Sequence, residues 1–510
     1  MDILISAIIG DLISRSASFV IRKYFQQQPD IDKILQRLER VLPRIHTVVE
    51  EAEGRHITNQ GMLRQLKMLR QGMYRGHYVL EALRYQDALD EVEGEKMIHT
   101  SSALSESSAA KRIRFSRTHS GSSNRESLLF CINSNMREEL QRMVDTLEDT
   151  MAGMKDVFFF LESYPRILCQ PYGAYLLLDN CMFGRQLEQQ RVLNFLLYPS
   201  ATPDLSVLPI VGPTRVGKST LVEYVCRDES VRNRFSMILF FPEDSLKDEG
   251  VIDLEGNNIN GLVRHQNCAC ENRLLIIVEI AEDINEETWR RLKSSMTRIT
   301  PCGGSKIIIT SRSDRIVCLG TTEALRLDYL RQEAYWYFFK SLVFGSTNPD
   351  DEPKLATMAM EIALEQRQCF TNAHIIAGIL RDNFNPRFWR TILECLRANK
   401  QTDLPMFEKH TNHRLREDVP VYYWRLARSS KYFLFCNYLQ SNSGGEVPKI
   451  SVRDILLGCG GTLPRGKFEA LEWRSRIPPY YNYTISCSVQ SPQPKTERRK
   501  RVSPDERRFI

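Results

Sequence analysis

The stretch LPIVGPTRVGKSTLVEYVC, from Leu208 to Cys226, constrains the fold more than any other part of the sequence. An apolar run meets two glycines, a lysine and two hydroxyl residues, and a helical pattern follows. Gly212 to Ser219 satisfies the pattern GxxxxGK[ST], with an apolar strand pattern before it and a helical pattern after it, as a phosphate-binding loop requires. The stretch therefore predicts an α/β domain of the P-loop NTPase type.

The residue types of this loop suit phosphate chemistry. Gly212 and Gly217 allow backbone torsions that a side chain would forbid. The amides between them can point toward an anion, and the positive N-terminal end of the following helix adds to the attraction. Lys218 is expected to reach the outer phosphates of ADP or ATP, and the Ser219 hydroxyl is expected to ligate Mg²⁺. Thr220 is expected to contact an inner phosphate.

Short apolar runs on both sides of the loop indicate a parallel sheet. The runs LSVLPIV, FSMILFF, RLLIIVEI and SKIIITS are bounded by turn residues and separated by helical or loop stretches. This alternation is typical of parallel strands covered by helices on both faces. Residues 165–330 are therefore assigned to the nucleotide-binding domain. Helical patterns at 332–344 and 353–381 assign residues 331–400 to a smaller helical domain.

Amphipathic patterns fill residues 1–164. Apolar residues recur at three-to-four spacing in four stripes, which is typical of helices that bury one face. The four stripes cover residues 3–20, 31–49, 62–92 and 133–164. Because four such stripes can bury one another, the sequence predicts a four-helix bundle. Residues 100–130 are serine-rich, basic and poor in large apolar residues, which predicts a disordered loop.

Composition argues against several classes of protein. The 69 Lys and Arg residues exceed the 63 Asp and Glu residues by 6, and this small excess, spread along the chain, does not indicate nucleic-acid binding. The 13 cysteines lack zinc-ligand spacing and are expected to be free thiols in a reducing compartment. No stretch of about 20 uninterrupted apolar residues offers a membrane span. The chain is therefore expected in the cytoplasm.

The last part of the sequence gives a weaker pattern. Residues 401–490 are dense in aromatic residues and are expected to form a divergent folded region, with a degenerate winged helix as one candidate. The basic tail of residues 491–510 is expected to be disordered, with nuclear import as an alternative role. No aromatic residues are interleaved with its KTERRKR run, so no specific nucleic-acid partner is predicted. No leucine-rich or other repeat period is visible.

On these motifs the chain resembles the plant intracellular immune receptors of the coiled-coil, nucleotide-binding type, in which an Rx-like N-terminal domain precedes an NB-ARC module. The phosphate loop matches from Gly212 to Thr220. FGRQLEQQRVLNFLL resembles the family's hhGR element, so Gly184 and Arg185 are expected to flank the adenine. GSKIIITSRSD is similar to the strand that ends in the family's nucleotide-sensing arginine, here Arg312. LRLDYLRQEAYWYFFKSLVFGS resembles the segment leading into the helical ARC domain, which residues 331–400 would form.

The chain departs from this family at the strand RLLIIVEI. In the family the matching strand ends in two acidic residues, of which the first holds Mg²⁺ and the second helps to position the attacking water. This sequence has Val278 and Glu279 there. Because successive strand residues face opposite sides of a sheet, Glu279 cannot replace the first acid unless the register shifts. The resemblance therefore implies at most a slow ATPase, with Glu279 as its candidate catalytic residue and Ser219 as the protein ligand of Mg²⁺.

Other family elements are reduced in this sequence. The GLPL element is expected near CFTNAHIIAGILR, where Phe370 or a neighbour replaces the proline that packs against the base. The Met-His-Asp triplet is absent, and His413 is the nearest histidine candidate. The acidic motif that docks the N-terminal domain on the rest of the receptor is reduced to Glu81.

Two hypotheses from different classes follow. In the first, the protein is a switch in plant defence signalling: ADP holds a closed form, and ATP favours an open form that oligomerises through the N-terminal bundle. In the second, it is an interaction partner or regulator that contacts full-length receptors or helper proteins through the bundle, with a bound nucleotide that is not turned over. A small-molecule or nucleotide kinase would need a lid with clustered arginines, which the sequence lacks. Insertion of the first helix into a membrane after activation is a further alternative to its burial in the bundle.

Overall fold

The apolar runs around the phosphate loop pair as one six-stranded sheet in the computed structural model of the protein. The strands are β1 (Ser206–Val211), β2 (Met237–Phe241), β3 (Leu262–Gln266), β4 (Leu274–Ile280), β5 (Lys306–Ser311) and β6 (Leu325–Arg326). Their order is β3-β2-β4-β5-β1-β6, and only the β2–β3 pair is antiparallel. The predicted parallel sheet is confirmed, with β3 and β6 as edge strands that the sequence pattern did not predict.

The structure describes residues 29–53, 55–100, 122–165, 182–199, 205–241, 262–266, 273–280, 286–299, 304–366, 368, 370–401, 421–424, 433–441, 447–457, 466–475, 477 and 482–490. Contacts divide the chain into two units. The first comprises residues 1–396 with 475–480, and the second comprises residues 397–474 with 481–510.

The N-terminal region is helical, as predicted. Its helices are α1 (Pro29–Glu53), α2 (Gln60–Thr100), α3 (Ser122–Gly153) and α4 (Lys155–Leu161). The first predicted stripe lies outside the described residues. The loop predicted for residues 100–130 is wrong at its C-terminal end, where α3 already begins at Ser122 because Leu128, Leu129 and Ile132 continue the helical spacing. The last predicted helix is interrupted at Met154, so α3 and α4 are separate.

Two glycines let α2 approach its neighbours closely. A Cβ atom added at Gly72 would lie 2.5 Å from Leu147 Cδ2 of α3. A Cβ atom at Gly76 would lie 2.7 Å from Leu42 Cδ2 of α1. Leu42 and Leu147 are buried, so neither has free space to yield to a methyl group. The apolar stripes of these helices therefore bury one another. The close packing of α2 against α1 and α3 depends on glycine, which has no side chain, at positions 72 and 76.

Helices cover both faces of the six-stranded sheet. They are α5 (Gln186–Leu197), α6 (Lys218–Cys226), α7 (Glu229–Arg234) and α8 (Glu286–Ile299). One apolar cluster joins Leu193 of α5 and Leu221 of α6 to Leu208 of β1. On the opposite face, Trp289 of α8 belongs to a cluster with Val207 of β1. Consecutive residues of β1 thus serve two cores, as the alternation of a strand requires.

Four helices follow the sheet. They are α9 (Gln332–Phe344), α10 (Pro353–Glu365), α11 (Phe370–Asp382) and α12 (Pro386–Gln401). The single helix predicted for residues 353–381 is wrong, because α10 ends before Gln366, whose backbone is extended. The buried side chain of Gln366 accepts a hydrogen bond from the Tyr335 hydroxyl of α9 at 2.8 Å. This tertiary hydrogen bond holds the residue at the break, which the helical periodicity cannot show.

The second unit contains an antiparallel sheet. Its elements are β7 (Val421–Trp424), β8 (Phe433–Ser441), α13 (Val452–Leu457), β9 (Lys467–Arg474) and β10 (Asn482–Gln490), with the strand order β7-β8-β10-β9. A winged helix is built mainly from helices, whereas residues 421–490, where described, contain four strands and one six-residue helix. The winged-helix candidate is therefore wrong for these residues, because aromatic runs such as that of β8 favour strands. His413 and the tail of residues 491–510 lie outside the described residues.

Two alanine substitutions test the packing of α2. Gly76→Ala should lower the free energy of unfolding by about 1–2 kcal/mol, because the added methyl group overlaps Leu42. Gly378→Ala in α11 is the matched control, since no atom lies within 4 Å of its added Cβ. It should raise the free energy of unfolding by about 0.5–1 kcal/mol through helix propensity. Urea unfolding followed by circular dichroism measures both, and the same sign for the two variants would contradict the packing argument.

Candidate nucleotide-binding site

The phosphate loop connects β1 to α6, with both predicted glycines in demanding positions. A Cβ atom at Gly212 would lie 2.2 Å from the carbonyl oxygen of Leu327, so any side chain there would push the backbone apart. Gly217 caps α6 with a φ of 93°, in the left-handed region that favours glycine. The Gly212 amide also donates to the Ser311 carbonyl at the end of β5, at 3.2 Å. The loop is therefore fixed at both ends by backbone geometry.

Lys218 lies folded against the loop. Its ammonium donates hydrogen bonds to the carbonyl oxygens of Gly212 at 2.7 Å and Pro213 at 2.9 Å. Burial lowers the pKa of Lys218 to about 8, and the charge of Arg312 lowers it further, against an opposing effect of Glu279. The loop carbonyls hold this ammonium where phosphate oxygens could accept the same hydrogen bonds.

Ser219 and Thr220 occupy the first turn of α6 and are half-buried. Directly after Lys218, they place two hydroxyl groups at the positive end of the helix. Their contacts with Mg²⁺ and with an inner phosphate stay predictions.

The strand β4 places Val278 and Glu279 on opposite faces. Val278 is fully buried in the apolar cluster that contains Trp289 of α8. Glu279 alternates with it and shares the face of Ile277, which packs in the cluster that contains α6. The pairing of β4 with β5 runs through Glu279 and Thr310 without a register shift. The acid on the loop side is therefore Glu279, and the position matched to the family's first acid is an apolar residue on the other side.

Arg312 comes directly after β5, next to the loop. Its side chain is exposed, and its charge acts on the pKa of Lys218, as does that of Glu279. Lys218, Glu279 and Arg312 thus meet at the carboxyl ends of β1, β4 and β5. In open parallel sheets this edge is where ligands bind.

Gly184 and Arg185 also reach the loop. Gly184 has a φ of 69°, and Arg185 is the N-cap residue of α5. The buried guanidinium of Arg185 donates to the carbonyl oxygens of Val216 at 3.4 Å and Asp328 at 2.5 Å. Burial lowers the pKa of Arg185, against the effect of nearby Glu188. The structure therefore brings the predicted adenine-flanking pair to the loop, although their contact with adenine stays a prediction.

Phe370, at the position expected for the GLPL proline, begins α11. Its ring centre lies 6.0 Å from the guanidinium carbon of Arg185, a cation–π distance. Its ring also meets Phe338 of α9 edge to face, with centres 5.4 Å apart. An aromatic residue therefore stands beside the same arginine where the family has a proline.

Sequence reasoning included residues 325–329 in the family resemblance but did not predict that this stretch, which we call the loop-side segment, lies beside the phosphate loop. It starts with β6, which pairs with β1. Directly after β6, the Leu327 amide donates a hydrogen bond to the Val211 carbonyl at 2.8 Å. The hydroxyl of Tyr329 then donates to the Thr214 carbonyl in the loop at 2.8 Å. A two-residue strand is too short to show a period, so the pairing of β6 with β1 left no periodic signal in the sequence.

The helix α2 docks on α9 through Glu81. This carboxylate is only 8% exposed and accepts hydrogen bonds from Trp336 Nε1 at 2.8 Å and from the Lys340 ammonium. His77, one turn earlier, lies 3.9 Å from it. Burial lowers the pKa of His77 to about 4, against the opposing effect of Glu81, so this histidine is neutral at pH 7. The one acid left of the family's docking motif is thus buried in an interface.

The same helix touches both sides of Arg185. Tyr74 packs against Phe183 and Tyr337, with ring centres 5.5 Å and 4.7 Å apart. Lys67 forms an ion pair with the buried Glu188 at 2.5 Å, and Arg70 donates to the Gln186 side chain. The segment of residues 183–188 therefore contacts α2 on one side and the phosphate loop on the other.

Two kinds of feature are absent from the described ranges. None of their helices combines the length and the apolar character needed to cross a membrane. No group of three or more His, Cys, Asp or Glu side chains is placed to hold a metal ion there.

Comparisons with known proteins agree with the resemblance seen in the sequence. The family model of the Rx N-terminal domain matches residues 8–117. Disease resistance RPP13-like protein 1 of Arabidopsis thaliana is 22% identical over 469 residues, which cover 88% of this chain and 42% of the relative. Disease resistance protein RGA2 of Solanum bulbocastanum is 22% identical over 450 residues, which cover 85% of this chain and 42% of the relative. The chain thus spans less than half the length of these relatives.

Solved structures give only distant similarity. C. elegans PCH-2 is 10% identical with a TM-score of 0.30, over 44% of this chain and 71% of that chain. Drosophila ORC bound to DNA is 15% identical with a TM-score of 0.26, over 44% of this chain and 70% of that chain. With scores of this size, the fold assignment depends on the strand order and the phosphate loop themselves.

The docking of α2 can be tested at Glu81. Glu81→Gln removes the charge that faces the Lys340 ammonium in a buried site, so we expect a loss of about 3 kcal/mol in the free energy of unfolding. Glu39→Gln is the matched control, because Glu39 pairs with Arg84 at 2.9 Å but both side chains are about half exposed. It should cost under about 1 kcal/mol. Urea unfolding measures both variants, and hydrogen exchange should locate the Glu81 effect in α2 and α9.

Proposed function

We propose that this chain, which is related to the NLR-type plant disease-resistance proteins with an Rx N-terminal domain, binds ADP and ATP at its phosphate loop and acts as a nucleotide-controlled switch in defence signalling. The observation that carries the proposal is the loop itself: Gly212 leaves no room for a side chain, Gly217 has a left-handed φ, and Lys218 lies beside the loop carbonyls. Such a loop presents amides and one ammonium to phosphate oxygens.

The switch part of the proposal is supported by the segment of residues 183–188. A nucleotide that moves Arg185 would act on neighbours that contact α2, including Phe183 and Glu188. Changing such a switch from mostly closed to mostly open takes about 5 kcal/mol of differential binding. Arg312 is the group proposed to distinguish ATP from ADP, because it is exposed beside Lys218.

A second candidate function is favoured by Val278. The position that matches the family's first acid is buried in apolar contacts, so on the loop side β4 contributes one acidic side chain, the candidate catalytic residue Glu279. Slow or absent turnover would suit a chain whose nucleotide stabilises the fold while its helical bundle binds other receptors or helper proteins, or another copy of itself. Both candidates require nucleotide binding, and both are proposed for the cytoplasm.

The first experiment is nucleotide binding by the purified chain. Any nucleotide carried through purification is identified, and the Kd of ADP is measured by calorimetry. Lys218→Ala should weaken ADP binding by about 30- to 100-fold, because a charge-assisted hydrogen bond to phosphate is lost. The exposed Lys354→Ala is the control and should leave the Kd unchanged. Equal binding by the Lys218 and Lys354 variants would remove the phosphate loop from the proposal.

Turnover and assembly separate the two candidates. The switch requires ATP hydrolysis that depends on Lys218, together with a larger assembly in ATP than in ADP. The interaction partner binds nucleotide without either response. Light scattering of the full chain in each nucleotide, beside a phosphate-release assay, distinguishes the two outcomes.

The pH dependence of binding follows from Lys218. The pKa of this side chain lies at about 8 without nucleotide, and bound phosphate would favour its charged form and raise the pKa. Binding is then coupled to proton uptake, so the Kd of ADP should rise up to about tenfold per pH unit above pH 8. Calorimetry in buffers of different ionisation enthalpy measures the uptake. Lys218→Arg keeps its charge at all these pH values, so its remaining affinity should not change with pH.

A further inference from the structure

The side chain of Tyr329 in the loop-side segment makes a hydrogen bond to the phosphate loop, and this contact differs in kind from the backbone contacts of the segment. Its contacts through β6 and Leu327 join backbone groups and so persist whatever the side chains are. The contact of Tyr329 depends on a phenol hydroxyl, which donates to the Thr214 carbonyl at 2.8 Å. A single oxygen atom can therefore be removed without touching the backbone pairing.

The hydrogen bond of Tyr329 fixes the orientation of one peptide plane. In a trans peptide the carbonyl oxygen and the following N–H point in opposite directions. Because the Thr214 carbonyl points to Tyr329, the Arg215 N–H points away from Tyr329. The peptide between Thr214 and Arg215 lies within the glycine-bounded loop, where inward N–H groups form an anion nest.

This orientation of the peptide gives Arg215 a positive φ, whereas residues with a side chain prefer a negative φ. Arg215 has a φ of 59°, and it is the only non-glycine residue with a positive φ in the described part of the chain. Residues with a side chain enter this left-handed region at an energetic cost, and such strain persists only where neighbouring contacts enforce it. If the peptide rotated to give Arg215 a negative φ, the Thr214 carbonyl would turn away from Tyr329.

We infer that Tyr329 is a positioning residue of the phosphate loop: its hydroxyl holds the peptide between Thr214 and Arg215 so that the Arg215 N–H is presented to phosphate. The consequence for binding depends on the proposed nucleotide function, whereas the effect on the loop does not. Tyr329 acts through the loop backbone, so its removal changes recognition of the phosphate end of a ligand and leaves recognition of the base unchanged.

Tyr329→Phe removes the hydroxyl and keeps the ring. In the nucleotide-free chain, hydrogen exchange of the peptide covering residues 212–217 should become about 3- to 10-fold faster, as expected for the loss of one hydrogen bond. Tyr335→Phe is the control, because it removes a tyrosine hydroxyl bond of the same length, 2.8 Å, which lies buried in the helical region and ends on Gln366. Equal loop exchange in Tyr329→Phe and the wild-type chain would overturn the inference, whether or not the protein binds nucleotide.

The affinities of ADP and adenosine provide a second test. Tyr329→Phe should weaken ADP binding by about 3- to 10-fold and change adenosine binding by less than about 2-fold, because only ADP uses the loop amides. Equal losses for ADP and adenosine would indicate a general structural role and overturn the inference. If the wild-type chain bound no ADP, the proposed function would fail, while the exchange experiment would still decide the role of Tyr329.

A double variant tests the mechanism. Glycine adopts positive and negative φ about equally, so Arg215→Gly removes the cost of the positive φ at this position. The loop peptide should then need the Tyr329 hydrogen bond less to keep its orientation. In the Arg215→Gly background, Tyr329→Phe should weaken ADP binding by less than about 2-fold. An unchanged factor of about 3- to 10-fold in both backgrounds would show that Tyr329 acts by a route other than the Arg215 peptide.

Discussion

The arrangement of the phosphate loop and its neighbours in the first unit depends on the hydrogen bonds of the buried Arg185 guanidinium. A charged group is costly to bury unless its hydrogen bonds are made, so Arg185 requires the carbonyls of Val216 and Asp328 to stay in place. Val216 belongs to the phosphate loop, and Asp328 belongs to the loop-side segment. The same arginine faces the ring of Phe370. Three separate parts of the chain are therefore held together by one side chain.

The neighbours of Arg185 extend this connection to the N-terminal helices. Phe183 contacts Tyr74, and Glu188 pairs with Lys67, so α2 contacts both sides of the arginine. The helix is fixed again at Glu81, whose partners Trp336 and Lys340 lie on α9. Since α9 follows the loop-side segment by only a few residues, the phosphate loop and the docking site of α2 are linked along the chain as well as through contacts. This is a structural basis for coupling, and a difference in nucleotide affinity between two states would have to drive it.

Charges around the loop separate binding from hydrolysis. The loop amides and Lys218 are the groups proposed to bind phosphate oxygens, and β4 acts on them only through the charge of Glu279, which opposes the lowering of the Lys218 pKa. Hydrolysis depends on acids that hold Mg²⁺ and orient water, and on the loop side β4 contributes Glu279. An apolar residue at the position of Val278 would therefore affect turnover far more than nucleotide affinity. A chain built in this way can keep a nucleotide that it hydrolyses slowly or not at all.

The sequence by itself determined the loop, the parallel strands and the helical character of the N-terminal region, because each has a local signal: a fixed spacing of glycines, short apolar runs, or three-to-four periodicity. It also placed Gly184, Arg185, Glu279 and Arg312 through family resemblance, and the structure brings all four near the loop. Only the tertiary structure decided that α10 ends before Gln366, that the described residues of 421–490 include an antiparallel sheet, and that Tyr329 reaches Thr214. The physical reason is that these features depend on hydrogen bonds between residues far apart in the chain, such as Tyr329 and Thr214, which leave no period in the sequence.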